Sequence, residues 1–325
     1  MSRFVVIATT GILLTFLAAG AIAFKGTSNL SGWSPDGTPG KRGFCHRSLV
    51  RESQVARQAC AEIPGLASPS VTAFEAANLL RRWVASWIAI ASDGTMLKDE
   101  GYLQKDVATL LREMRAGEMG VYCGGTAWAL MRLYEAFGFE AWTYIFGESE
   151  GSELTHAITL LRIGDTIAVE DAYFNLTFVT RQGAPVEVRA LLVALRQKVF
   201  PTAATLQTDL VTRRVLLRRS EPPSSVSLPN WLGGPKAPSV EDCARIGGQI
   251  WECKADRVSA ADAVLWDRWS DVTEFMARRG LSPDLPNLML FPIGLTSHRD
   301  GWKDSASVDG SRTGRLLVQI LEAAR

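Results

Sequence analysis

Cys123, His156 and Asp171 are the residues whose types, order and settings could together make a nucleophile. Five cysteines and three histidines in 325 residues leave few candidates for thiol chemistry. Cys123 lies in "GEMGVYCGGTAWALMRLYEAFGFEAW", between glycines at the expected start of a helix. A thiol with an ordinary pKa of about 8.5 is only a few per cent thiolate at neutral pH, so a reactive cysteine needs a helix N-terminus and a nearby base. His156 opens the run "HAITLLR" and Asp171, 15 residues on, closes "TIAVED". If those runs pair as a hairpin about Gly164-Asp165, the expected register stands the two side chains opposite each other, and a hydrogen bond from imidazole to carboxylate follows. Taken singly, a cysteine among glycines or a histidine facing an aspartate also fits a packed structural role.

Those three residues need helices and strands to hold them. In "FEAANLLRRWVASWIAIA", apolar residues recur at Ala76, Leu79, Leu80, Trp83, Val84 and Trp87 with helical spacing. A second helix is expected at about 103–114, and a third from Cys123, with Ala127, Leu130, Met131, Tyr134 and Phe137 on one face and Gly138 as its stop. Beyond Gly138 the period falls to two in "FEAWTYIF", "HAITLLR" and "TIAVEDAYF", which predicts an antiparallel sheet. A fourth run near 175–180 and a helix over about 186–199 complete an α+β unit spanning 71–200. Residues 201–325 read as a C-terminal extension with a proline-rich linker, "SEPPSSVSLPNWLGGPKAPS", and helices at about 259–279 and 314–324. No internal repeat is found.

The segment before this unit carries an address. "FVVIATTGILLTFLAAGAIAF", residues 4–24, has 21 residues without a charge, long enough at about 1.5 Å per residue to span the hydrocarbon of a bilayer. Ala21-Ile22-Ala23 also has the form of a signal cleavage site. Residues 1–24 are therefore a signal anchor or a signal peptide, and 25–70 are a Gly/Ser/Pro-rich linker holding the first cysteine pair. Either reading exports the chain, facing the periplasm or extracellular space on a membrane anchor through residues 4–24, or secreted after cleavage near Ala23. Cysteine usage agrees: Cys45 and Cys60 lie 15 apart, Cys243 and Cys253 lie 10 apart, and Cys123 stands between them. Four plus one suits two disulfides and a free thiol; three connectivities are open, and proximity favours local pairing. A net charge of +1 gives no reason to expect a nucleic-acid partner, and the cluster Arg213, Arg214, Arg218 and Arg219 reads as a solvated face.

In this order and in these settings, Cys123, His156 and Asp171 resemble the catalytic residues of the transglutaminase-like superfamily of papain-type thiol enzymes, in a bacterial-type exported member. Gly120, Ala127, Gly138, His156-Ala157, "YFN" and "TRQGAP" match the family's pattern as well, over residues 71–200. Thr126, Trp142 and Ile158 depart from it, where the family often has an aromatic, an arginine and a tryptophan.

The resemblance implies a core of helices packed on an antiparallel sheet, with no metal or cofactor. It implies an exported cysteine peptidase, amidase or transglutaminase-type acyltransferase acting on a protein, peptide or amide substrate of the cell envelope. Cys123 would attack the carbonyl, His156 would move the proton, and Asp171 would fix the imidazole. The Cys123 N–H would be one oxyanion donor, with Gln104 and Trp83 as candidates for a second, and Tyr122, Gly124 and Trp128 would shape the cleft, the glycines leaving the sulfur open to approach. Two other classes use the same residues: an inactive binding module of the cell envelope, and an arylamine N-acetyltransferase-like enzyme, which favours Arg-Gly-Gly before the cysteine and a cytosolic address.

Overall fold

The computed structural model describes residues 43–91, 100–147, 155–180, 182–198, 204–208, 211–226, 239–258, 264–266 and 288–325. Residues 1–42, with the expected anchor, and most of the proline-rich stretch lie outside them. Among the described residues, no helix is long and apolar enough to cross a membrane.

Seven α-helices and two sheets make up the described chain, an α+β architecture as expected. The helices are α1 (Ser48–Glu52), α2 (Gln54–Glu62), α3 (Ala73–Trp87), α4 (Val107–Ala116), α5 (Cys123–Ala136), α6 (Val188–Gln197) and α7 (Arg312–Ala324). The strands are β1 (Ala89–Ala91), β2 (Ala141–Gly147), β3 (Thr155–Ile163), β4 (Thr166–Asp171), β5 (Leu176–Val179), β6 (Ala204–Thr208), β7 (Val211–Arg218), β8 (Cys243–Gly247), β9 (Ile250–Val258), β10 (Val264–Trp266), β11 (Pro292–Ser297) and β12 (Gly301–Asp304). The larger sheet is antiparallel throughout, in the order β10-β6-β5-β4-β3-β2-β11-β12. The smaller, β1-β7-β9-β8, pairs β1 with β7 in parallel.

Local chemistry starts and stops the helices that matter most. At α3, Thr72 accepts from the Glu75 N–H at 3.2 Å while the Glu75 carboxylate accepts from the Thr72 N–H at 2.8 Å, a capping box. Its apolar stripe, Ala76, Leu80, Trp83, Val84 and Trp87, is buried. Helix α5 ends before Gly138, whose φ of 82° is a left-handed stop that glycine adopts without strain. Leu130, Leu133 and Tyr134 are fully buried on α5, each aliphatic side chain contributing about 1.5–3 kcal/mol of burial.

Several sequence expectations need correction. The segment read as a linker over 25–70 is folded from Gly43 onward: Phe44, Val50 and Leu66 enter the core, because two short helices and a disulfide pack them there. The C-terminal extension is not an appendage to a 71–200 core. It supplies β6, β10, β11 and β12 to the same sheet, with β11 lying directly against β2, since β2 would otherwise present an open hydrogen-bonding edge. Val264–Trp266, inside the expected helix over 259–279, is a strand paired with β6; the rest of that helix lies outside the described residues. Arg214 is not part of a solvated face: it donates to Glu252 at 2.9 Å and to the carbonyls of Met114 and Arg115.

The cysteines pair locally, Cys45 with Cys60 and Cys243 with Cys253, and Cys123 is free. The first bridge pins α2 to the turn before α1. The second joins directly opposed residues of β8 and β9.

Candidate active site

Cys123 is the first residue of α5, half-buried, with Tyr122 as the N-cap residue. The N–H groups of that first turn have no intrahelical carbonyl to meet, so they present the positive end of the helix beside the sulfur. The Tyr122 carbonyl accepts from both the N–H and the hydroxyl of Thr126 at 3.0 Å, which fixes the entry into the helix.

The glycines after the cysteine also make room for neighbouring side chains. A Cβ on Gly124 would lie 3.1 Å from the hydroxyl oxygen of Tyr102, and a Cβ on Gly125 would lie 2.8 Å from the Cβ of Val121. They leave room for a tyrosine and a valine to close on the helix. Tyr102, in a short 3-10 helix (Glu100–Gln104), packs against the main core. Burial, and then the charge of Cys123, push its phenol up from 10.0.

His156 and Asp171 meet as expected, but by a different register. Ile163 and Thr166 flank the two-residue Gly164-Asp165 turn, and the ladder runs on to Thr159 opposite Glu170. One further step sets Asp171 against Ile158, so His156 is its diagonal neighbour on the same face, two residues along. Across the sheet His156 pairs with Phe146. The diagonal is bridged by long side chains: His156 Nε2 lies 2.7 Å from Asp171 Oδ2. Asp171 Oδ1 accepts from the Phe174 N–H at 3.0 Å, so the carboxylate is held at both oxygens.

The imidazole is 1% exposed, ringed by Phe146, Tyr173 and Phe174 at centroid distances of 5.6, 5.9 and 5.0 Å. Burial opposes its charge. The charge and hydrogen bond of Asp171, followed by the hydrogen bonding and charge of Cys123, outweigh that penalty and raise it from 6.5 to about 10. With Nε2 on the carboxylate, the nitrogen left for chemistry is Nδ1, which is buried and has no aligned hydrogen-bond partner among the described residues. Cys123 thus acts on the ring without a well-aligned hydrogen bond to Nδ1.

Beside Asp171 lies a second buried pair that sequence reasoning did not foresee. Arg81 of α3 donates from Nε to Glu170 at 2.7 Å, from Nη2 to Asn78 at 2.8 Å and from Nη1 to Asn175; both Arg81 and Glu170 are 0% exposed. Burial raises the Glu170 carboxyl from 4.5 to about 7 against the pull of Arg81. Thr177 donates to the Val169 carbonyl at 2.7 Å and lies 3.2 Å from Glu170. Asn175 holds a left-handed φ of 55° in the turn from Ala172 to Asn175. That turn binds Asp171 through Phe174 and Arg81 through Asn175, so α3 braces the strand end that carries the aspartate. An arginine on the otherwise apolar face of a predicted helix was the available signal.

Of the remaining candidates, Trp83 is committed elsewhere: its indole N–H donates to Glu62 at 2.9 Å and its ring packs on Trp87 at 4.5 Å, which removes it as an oxyanion donor. Gln104 is exposed at the end of the 3-10 helix that carries Tyr102. Trp128, one turn along α5 from Gly124, is half-buried with its indole N–H lacking an acceptor among the described residues. No group of three or more His, Cys, Asp or Glu able to hold a metal occurs among the described residues. Comparison with protein-family models, with curated proteins and with solved structures finds no match to this chain.

Proposed function

We propose that this protein is an exported thiol enzyme of the transglutaminase-like, papain-type kind, which cleaves or transfers acyl groups at amide bonds through Cys123, His156 and Asp171. One observation carries the reading: His156 is clamped to Asp171 through Nε2 while its buried Nδ1 is left without an aligned partner beside a free thiol at a helix N-terminus. A histidine kept only to satisfy a buried aspartate would have no need of a thiol on its other side.

In this mechanism Cys123 Sγ attacks the carbonyl carbon, the C–S bond forms, and the π electron pair moves to oxygen. Collapse of that intermediate breaks the C–N bond, and the Nδ1 proton of His156 goes to the departing amine. Asp171 holds the ring and stabilises its charged form throughout. Water or a second amine then attacks the thioester carbonyl and gives its proton to His156, and the C–S bond breaks to release the acyl product and return the Cys123 thiolate. The substrate proposed is a peptide or amide of the cell envelope; the two disulfides favour an oxidising compartment.

Alkylation of Cys123 tests this reading. Iodoacetamide is expected to label the folded protein at pH 6 well above the rate of a model thiol. His156→Ala is expected to return the rate to that of the model thiol, and Asp171→Ala to reduce it less. Slow, equal labelling of folded wild type and His156→Ala would favour a binding module that has kept the fold without the chemistry.

A further inference from the structure

We infer that the hydroxyl of Tyr102 is the second oxyanion donor, acting with the Cys123 N–H on the acyl oxygen of the tetrahedral intermediate. This rests on the acyl-transfer reading of Cys123.

The helix after the nucleophile has been cleared of side chains where Tyr102 arrives. The phenol oxygen stands 3.1 Å from the point where a Gly124 Cβ would be, and the ring edge 3.7 Å from the same point on Gly125. The hydroxyl is thereby seated on the first turn of α5, next to Cys123 and to N–H groups that lack intrahelical partners. The charge of Cys123 acts on it as well. No hydrogen-bond partner for this hydroxyl occurs among the described residues. A half-buried phenol whose proton is free to turn is therefore poised beside the reacting sulfur.

Burial and the Cys123 charge both disfavour the phenolate, so Tyr102 keeps its proton to donate. When Sγ bonds to the carbonyl carbon, negative charge develops on the acyl oxygen. Tyr102 reaches the first turn of α5 over Gly124, the residue next to the one whose N–H is the other donor. Tyr102 donates a hydrogen bond without transferring its proton, and on collapse the C=O bond re-forms as the leaving group departs. The other candidates do not compete: the Trp83 N–H is taken by Glu62, and Gln104 is exposed.

Two reactions of one sulfur separate this role from others. Acylation by p-nitrophenyl acetate passes through an oxyanion; alkylation by iodoacetamide displaces iodide and does not. In Tyr102→Phe, nitrophenolate release by Cys123 is expected to fall about 100-fold while alkylation stays within about twofold of wild type. Gly124→Ala, which pushes the hydroxyl away and leaves it intact, is expected to lower acylation in the same selective way. Unchanged acylation in both variants would overturn the inference. A parallel fall in both reactions would show that Tyr102 acts on the sulfur, and a rise in both that it covers the sulfur; either overturns the oxyanion role. A wild type that releases no nitrophenolate, with alkylation indifferent to His156→Ala, would remove the acyl-transfer reading itself and this inference with it.

Discussion

Asp171 reaches His156 along a diagonal of the β3–β4 ladder, at 2.7 Å between Oδ2 and Nε2, and not from the directly opposed position. That offset lets the second carboxylate oxygen take the Phe174 N–H, because the strand has already ended and turned. The aspartate thereby belongs to the turn as much as to the strand. The turn is braced in its own right by Arg81 on Asn175.

The stability of the protein should fall as pH rises, through two adjoining windows. His156 is raised from 6.5 to about 10, so its contribution is full below about pH 6.5 and is lost as pH climbs through about 10. Glu170 is a carboxyl raised from 4.5 to about 7, so the folded state also holds more protons than the unfolded one between those values, and stability again falls with rising pH. Urea midpoints measured from about pH 5 to 10 should show both slopes. Asp171→Asn should flatten the upper window and Glu170→Gln the lower one; a midpoint that rises with pH across either window contradicts the assignment.

Breaking the Arg81–Glu170 pair from one side should be costly. Arg81→Met strands a buried carboxylate and is expected to destabilise the fold by about 3–5 kcal/mol. The double variant Arg81→Met, Glu170→Gln should lose less than the sum of the single losses, as a double-mutant cycle in urea would read. Strict additivity would mean that the two groups do not share one interaction.

Gly125→Ala should destabilise by about 1–3 kcal/mol, because its Cβ would lie 2.8 Å from the Val121 Cβ and 2.9 Å from its Cγ1, atoms held close to the backbone and not the far end of a flexible side chain. Thermal unfolding measures the loss. A neutral or stabilising effect, as expected of an ordinary glycine-to-alanine change within a helix, would show that the Val121 contact is not constraining.

Unreduced, denatured protein should carry a single alkylatable thiol, at Cys123. Peptide mapping should recover Cys45 with Cys60 and Cys243 with Cys253. Replacing Cys45 and Cys60 together by serine should cost about 3 kcal/mol, from the loop of roughly 15 residues that the bridge closes. Recovery of Cys123 in a disulfide would remove both the framework and the nucleophile.

Local pattern was enough for the elements that carry the site. The start of α5 at Cys123, its stop before Gly138, and the Gly164-Asp165 hairpin are set by periodicity and by residues that favour caps and turns, all short-range effects written within a few positions. The proximity of His156 and Asp171 followed from the same hairpin. Its register did not, because the midpoint between residues 156 and 171 lies one position before the centre of the turn; only the closed ladder decides that the contact is diagonal. Helix boundaries drifted by a few residues where a 3-10 turn precedes α4.

What tertiary structure alone decided is what comes from far along the chain. Tyr102 comes to Gly124 from a separate short helix, and Arg81 reaches Glu170 across 89 positions. Strand β11 arrives from beyond residue 290 to cover the edge of β2, so the sheet does not stop at the boundary suggested by composition. A hydrophobic period records that a face is buried but not which element buries it, and a glycine records that space is needed but not which side chain fills it. Those partners are chosen by the simultaneous packing of α3, α5 and the sheet, where most buried polar groups also find a complement.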